Sequence, residues 1–474
     1  MTTWADEQAA AGRVPDGTPV DDGDSGAPQC RSGPWTRAHG SVLPIDVGAL
    51  LGRIRQELSS GHLPVEIFNS DEIYALERER VFSRAWCFLA HESEIPDPGD
   101  FVRRSVAGNT VIVTRDASGR VRCFLNMCRH RGMQLCKVDT GNAAHHRCSY
   151  HGWTFANDGR LVAVPYQQVA YGDALQREDW GLVEVRTDAY ESLVFACLDA
   201  DAEPLSDYLG DFRFYLDLYL KPGPGGTEVY APPNRWVADM NWKFGAENFA
   251  GDGYHTPVSH QFGFRLGYYP SAARTHTDGV GVHLPGRGHA IGLGRTPGLR
   301  SFAPFAPETL AGMRQVLSDE QMAVFEGIRS APATVFPNLS FLMQPLSAVP
   351  GGPATWFTTM RLWNPISANR MQMLSWCLVP VDAPAEAKDA SYRAYTLAFG
   401  QAGTFEQDDF ENWSCATEMA GEPLAQAFTF PYTMGIGTEP DPSFGGPGVA
   451  VRPYVNDSGF RALWGYWLDM LERA

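Results

Sequence analysis

Two short stretches of this chain carry metal-binding side chains in matched pairs. Cys128-Arg129-His130 is followed, seventeen residues later, by Cys148-Ser149-Tyr150-His151. Two thiolates and two imidazoles suit a tetrahedral zinc ion. They also suit a two-iron, two-sulfur cluster in which two imidazoles replace two thiolates on one iron, which raises the reduction potential. The surroundings favour the cluster. Gly132 and Gly152 follow the pairs, and glycine permits positive φ and close approach of backbone to a bulky inorganic group. Trp153 and Phe155 offer apolar cover that would limit solvent access and tune the potential.

A second constellation runs from Glu247 to His260. Asn248, Asp252 and His255 fall at i, i+4 and i+7, the spacing of one helix face. Pro257 disfavours helical geometry at Thr256, so the chain is expected to turn and swing His260 toward His255. Two imidazoles and one carboxylate, with positions left open, are the arrangement for non-haem ferrous iron that activates dioxygen. The carboxylate must come from elsewhere. The best candidate is the acidic stretch 403–413, GTFEQDDFENW, bracketed by Phe405, Phe410 and Trp413. The plainer reading of that stretch is a solvated first turn favoured by the helix dipole.

The run CRHRG…CSYHGWTF resembles the Rieske iron–sulfur signature. The segments NWKFGAENFAGDGYHTPVSH and GTFEQDDFENW resemble the catalytic-iron motifs of the large, or alpha, subunit of Rieske aromatic-ring-hydroxylating dioxygenases. The resemblance covers about residues 45 to 474. It implies that Cys128 and Cys148 bind one iron of a [2Fe-2S] cluster, and His130 and His151 the other. It implies that His255, His260 and Asp409 bind one mononuclear ferrous iron, with Asp408 a less favoured neighbour and Asn248 at an open position nearby. Asp252 would bridge His255 to His151 of the partner subunit, carrying electrons between subunits of a trimer. The reaction implied is cis-dihydroxylation of an aromatic hydrocarbon or aromatic carboxylate by dioxygen, with electrons from a separate reductase or ferredoxin and possible need of a small beta subunit. A monooxygenase or O-demethylase using the same sites, and a non-catalytic electron carrier, are the alternatives. Phe249, Phe405 and the stretch 335–341 with Phe341, which resembles a strand lining the family's active site, are pocket candidates, with core packing the equal reading of that stretch; Arg265, Arg287 or Arg295 could pair a substrate carboxylate.

These residues need a scaffold that the rest of the chain can supply. The 474 residues allow two domains and a large core. The expected class is α+β: an antiparallel β-rich cluster domain, and a catalytic domain with a large antiparallel sheet flanked by helices, of helix-grip type. Residues 1–45, rich in Gly, Asp, Pro and Ser, read as a loose tail. Residues 46–84 read as a helical part of the catalytic domain, 85–203 as the cluster domain and 204–474 as the catalytic domain. Helices are expected over 47–58, 70–84, 205–220, 307–327, 383–401 and 460–472. Short alternating strands are expected from 100 to 126 and from 181 to 198, and further strands over 228–231, 355–363 and 371–381. Pro-Gly-rich loops are expected at 284–304 and 438–448.

The net charge of −17 argues against nucleic-acid binding. The sequence has no membrane-spanning apolar run and no secretory signal. Nine scattered cysteines show no disulfide framework, which suits a reducing cytoplasm. Arg129, Arg131, Lys137, His145, His146 and Arg147 form a basic collar around the cluster pairs, suited to an acidic electron donor. No G-x-G-x-x-G or P-loop pattern appears, so no bound NAD or flavin is expected.

Overall fold

The computed structural model describes residues 46–269, 278–295 and 307–473; the expected N-terminal tail lies outside them. The chain enters through the helix Val47–Leu58, capped by Asp46, whose Oδ1 accepts the Ala49 N–H at 3.0 Å. Ser70 caps the helix Asp71–Leu76, which continues as a π turn through Glu77–Phe82. From Cys87 the apolar period changes to two, and strands follow.

Seven antiparallel strands form the first sheet. Their order is Cys87–His91, Leu193–Cys197, Glu184–Tyr190, Val121–Leu125, Asn109–Arg115, Asp100–Val106 and Thr140–Asn142. A three-stranded sheet, His145–Arg147, Thr154–Ala156 and Leu161–Ala163, adjoins it in the sequence. The first Cys/His loop leaves the large sheet after Leu125, and the second is the hairpin joining Arg147 to Thr154.

The second sheet has nine strands, all antiparallel. Its path is Thr227–Val229, Arg370–Pro380, Ala354–Ser367, Leu339–Ser347, Ile328–Val335, Ala290–Arg295, Gly279–His283 and Val449–Val451, with Asn234–Ala238 also paired to Arg370–Pro380. The strand Leu339–Ser347 is buried at every position, as expected when both sheet faces are covered. The helices Trp242–Phe249, Ala385–Phe399 and Ser458–Glu472 pack on the sheet, and Thr404–Ala420 packs on Ala385–Phe399.

Buried polar contacts hold the segments in register. Glu77 accepts from Lys243 Nζ at 2.6 Å and from the indoles of Trp242 and Trp467, each at 2.9 Å. One carboxylate thus fastens the N-terminal segment to the site helix and to the last helix. Asn338 brackets Phe88, accepting its N–H at 2.9 Å and donating to its carbonyl at 3.2 Å. That contact joins the two large sheets.

Three expected elements differ. Residues 205–220 form two helices, Leu205–Leu209 and Arg213–Leu220, because Gly210 takes φ +49°. Residues 307–327 also form two, Pro307–Val316 and Asp319–Phe325. The break is at Ser318, which exchanges hydrogen bonds with Gln321 in a capping box. The glycines of 284–304 read as turn signals, yet Ala290–Arg295 is a strand. Gly292 is bare because a Cβ there would lie 2.6 Å from the Tyr454 ring. Among the described residues no helix is long and apolar enough to cross a membrane.

Candidate metal centres

The two Cys/His loops have one backbone design. The Cys128 N–H donates to the Met133 carbonyl at 2.8 Å, and the Gly132 N–H returns to the Cys128 carbonyl at 3.0 Å. The second loop repeats both bonds at the same lengths, with Cys148, Trp153 and Gly152. Gly132 and Gly152 take φ +72° and +74°, the left-handed region that the sequence anticipated. Both cysteines are buried. Burial pushes the Cys128 thiol up, while the backbone N–H groups of His130 and Arg131, aimed at its sulfur, oppose that.

The imidazoles of His130 and His151 meet at 4.4 Å between centroids. His130 stacks on Trp153 at 5.0 Å, and its Nε2 lies 3.3 Å from the Tyr171 hydroxyl. Its Nδ1 is buried with no hydrogen-bond partner, as a metal-binding nitrogen would be. His151 is exposed, with Tyr150 stacked on it at 3.7 Å. Two buried thiols and two imidazoles on paired loops are the donor set of a two-iron cluster with two histidine ligands.

The second centre lies where the helix Trp242–Phe249 ends. The expected helix face through Asp252 is not formed, since Gly251 (φ +131°) turns the chain. Asp252 then caps a turn: its Oδ1 accepts the N–H groups of Tyr254 and His255 at 3.0 and 3.2 Å. Its Oδ2 lies 3.2 Å from His255 Nδ1. Pro257 starts the short helix Thr256–Ser259 instead of merely ending one. That single turn brings His255 and His260 to 5.2 Å between ring centroids.

The helix Thr404–Ala420 brings the carboxylates. Asp409 Oδ1 lies 3.5 Å from His255 Nε2 and 3.2 Å from His260 Nε2, and no hydrogen bond satisfies it. Asp408 takes the far side of His260, with Oδ2 3.1 Å from Nδ1. Each imidazole is therefore gripped at Nδ1 by a carboxylate and presents Nε2 to Asp409. This is how ligand histidines are oriented and their tautomer fixed. Burial pushes His255 down, but the Asp252 carboxylate, and beyond it Asp409, push it up to about 9. Against the opposing effect of burial, His255 holds Asp252, and His260 and then His255 hold Asp409, below the usual carboxylate range. The cluster is built to attract a cation.

A cavity opens on this point. Its walls are Phe249, Pro332, Leu342, Phe399 and the rings of Tyr269 and Tyr454, with Asn248, Thr256, Ser330 and Gln344 as polar spots. Asn248 Nδ2 lies 3.4 Å from His255 Nδ1. Phe405 packs edge-on against His260 at 5.0 Å. Neither Phe405 nor Phe341, both expected in the pocket, is in its lining: Phe341 stacks on Tyr219 at 4.8 Å. Side chains alternate along the strand Leu339–Ser347, so Leu342 and Gln344 face the cavity and Phe341 the opposite side.

None of the three candidate arginines lines the cavity: Arg287 pairs with Glu203, Arg295 donates to the Val324 carbonyl, and Arg265 ends the helix Gln261–Arg265. His146 leaves the basic collar, being buried with Nδ1 3.3 Å from Cys136 Sγ. Sequence reasoning missed Tyr269, Phe399 and Tyr454, which come from distant segments. Gly253 was a usable signal, since a Cβ there would lie 2.2 Å from the Tyr454 ring.

Comparison with known proteins places both halves. Residues 85–177 match the Rieske [2Fe-2S] domain, and residues 226–424 match the ring hydroxylating alpha subunit catalytic domain. The chain is 34% identical to the N,N-dimethyl phenylurea N-demethylase alpha subunit of Sphingobium sp., covering 89% of this chain and 94% of that one. It is 34% identical to the biphenyl 2,3-dioxygenase alpha subunit of Rhodococcus jostii, covering 87% and 89%. The crystal structure of naphthalene 1,2-dioxygenase from Rhodococcus sp. bound to indole superposes with a TM-score of 0.87 at 40% identity, covering 89% of this chain and 97% of that chain.

Proposed function

The chain belongs to the alpha subunits of Rieske aromatic-ring-hydroxylating dioxygenases, and on that premise we propose that it cis-dihydroxylates a neutral aromatic ring. It is an oxidoreductase with a [2Fe-2S] Rieske domain and a mononuclear-iron catalytic domain. Cys128, His130, Cys148 and His151 hold the cluster, and His255, His260 and Asp409 hold the iron. When bound, the cluster supplies electrons and the ferrous iron supplies dioxygen activation.

The observation that carries this reading is the convergence of His255 Nε2, His260 Nε2 and Asp409 Oδ1 at the floor of an aromatic-walled cavity. Asp252 and Asp408 keep both imidazoles in the ligating tautomer. Phe249, Leu342 and Phe399 exclude water and hold a flat ring above that point. Among the described residues no Arg or Lys lines the cavity, which favours a hydrocarbon or another neutral arene over an aromatic acid.

The exposed His151 and the Asp252 of a neighbouring subunit, a side chain 26% accessible beside His255, would form the path by which electrons leave the cluster domain for that subunit's catalytic centre. This requires an oligomer, a trimer with or without a small beta subunit. A separate reductase or ferredoxin is the donor. The exposed Tyr150, Tyr166 and Val169 near the cluster loops offer apolar docking surface. The protein works in the cytoplasm; the eight cysteines among the described residues are all unpaired.

The N-demethylase relative favours one second reading, oxidative demethylation at the same centres. A panel of aromatic hydrocarbons, aromatic acids and N-methyl or O-methyl arenes, assayed with a reconstituted donor chain, tests both. Dihydrodiols from neutral rings are expected. Formaldehyde from the methylated arenes, with no diol from any ring, would replace the first reading by the second.

A further inference from the structure

The strand Leu339–Ser347 passes directly beneath the cavity, and its polar side chains are accounted for with one exception. The Ser340 hydroxyl joins Thr334 Oγ1 and the Trp363 indole, each at 2.8 Å. Ser347 bonds to the Val349 carbonyl. Gln344 uses only half of its amide. Its Oε1 accepts the Tyr269 hydroxyl at 3.3 Å, while its Nε2 has no hydrogen-bond partner. Gln344 is 5% exposed and lines the same cavity as His255, His260 and Asp409.

A buried amide N–H left without an acceptor is unfavourable and uncommon in folded proteins. The Tyr269 hydroxyl donates to the oxygen end of the amide, which leaves the N–H end over. The leftover donor is buried and belongs to a side chain in the cavity lining, beside the apolar walls Phe249, Leu342 and Phe399. A strand, unlike a loop, holds such a group in a fixed place.

Resting on the reading of this cavity as an arene site, we propose that Gln344 is a specificity-determining residue. Its Nε2 donates a hydrogen bond to a neutral acceptor on the bound ring. The preferred substrates are then arenes bearing an ether, hydroxyl or carbonyl oxygen, and bare hydrocarbons are second choice. The single bond also fixes how the ring lies over the iron, because Phe249 and Phe399 alone would accept it in several orientations. A site built to hydrogen-bond a substrate group discriminates against the analogue lacking it, since its own polar group is then left unpaired.

The test compares naphthalene with 1-methoxynaphthalene on the metal-loaded full chain. Calorimetry gives the ratio of their affinities for wild type, Q344M and Q344L; the two variants remove the donor with different shapes, and cluster absorbance reports folding. Wild type is expected to favour the methoxy compound roughly ten-fold, and that ratio should fall toward one in whichever variant folds. A wild-type ratio near one overturns the proposal, as does a preference that survives in the variants. Products are identified separately by single turnover of chemically reduced protein in air. If neither ring is oxygenated, the ring-hydroxylation reading fails, while the affinity ratio still decides the role of Gln344.

Discussion

Asp408 holds His260 from behind: its Oδ2 lies 3.1 Å from Nδ1, on the side of the ring opposite Asp409. Adjacent residues on one helix thus address the two ends of a single imidazole. Asp408→Ala is expected to weaken mononuclear iron binding by roughly 10- to 100-fold, the usual effect of losing an outer hydrogen bond, with cluster absorbance unchanged. Iron titration of the purified variant measures this. Iron affinity equal to wild type would mean that Asp408 is a bystander.

Arg361 and Glu406 form a buried bidentate pair, with Nη1 to Oε1 at 2.8 Å and side chains 0% and 1% accessible. The guanidinium also lies 4.8 and 4.9 Å from the rings of Phe249 and Phe399, two cavity walls. Arg361→Leu leaves the Glu406 carboxyl, already raised to about 7 by burial, without its partner, and should cost about 3–5 kcal/mol. The double variant R361L/E406L should recover most of that loss. Urea unfolding of the three proteins checks it; a double variant as unstable as R361L would show that the unpartnered Glu406 carboxyl is not the source of the loss.

His289 is held neutral by geometry. Its Nδ1 accepts the Phe336 N–H at 3.1 Å, so the ring proton sits on Nε2, 3.0 Å from the Tyr208 carbonyl. Burial lowers its pKa to about 4, below its unfolded value of about 6.5. The folded state therefore binds fewer protons than the unfolded chain between these values. Its contribution is complete above pH ~6.5 and is lost as pH falls through ~4, by up to about 3 kcal/mol. His289→Gln should flatten that part of the stability-against-pH curve; an unchanged slope would remove His289 as its source.

Gly132 and Gly152 share a conformation but not a setting. A Cβ at Gly132 meets nothing within 4 Å, whereas one at Gly152 would lie 2.9 Å from Pro165 Cγ. Gly132→Ala should cost about 1–2 kcal/mol of backbone strain, and Gly152→Ala more, with lower cluster content. Thermal melts and iron–sulfide analysis rank them; the reverse order would contradict the packing described for the second loop.

Much of the site was legible because its chemistry is local in sequence. Each cluster loop places Cys, His and Gly within five residues, and His255 and His260 are joined by one turn. Asp409 needed the resemblance, since nothing in the stretch 403–413 distinguishes its side chain, 3% accessible, from that of Asp408 at 33%. The cavity was less legible. Phe341 came from the resemblance of the stretch 335–341 to a strand lining the family's active site, but which face of a doubly buried strand points at the cavity depends on register, and Leu342 and Gln344 face it. In the run LSFLMQPLS, Gln344 was nonetheless a signal, because an amide among apolar residues needs a partner. The glycine-rich strand Ala290–Arg295 was missed because glycine ordinarily marks a turn, and only the ring of Tyr454 explains it.

On the proposed function, His255, His260 and Asp409 support insertion of both atoms of dioxygen into one aromatic ring. The most direct test supplies isotopically labelled dioxygen to the reduced protein with a neutral arene and weighs the product. A cis-dihydrodiol with both oxygens labelled is the expected result. A product with one labelled oxygen, or with oxygen drawn from water, would contradict it.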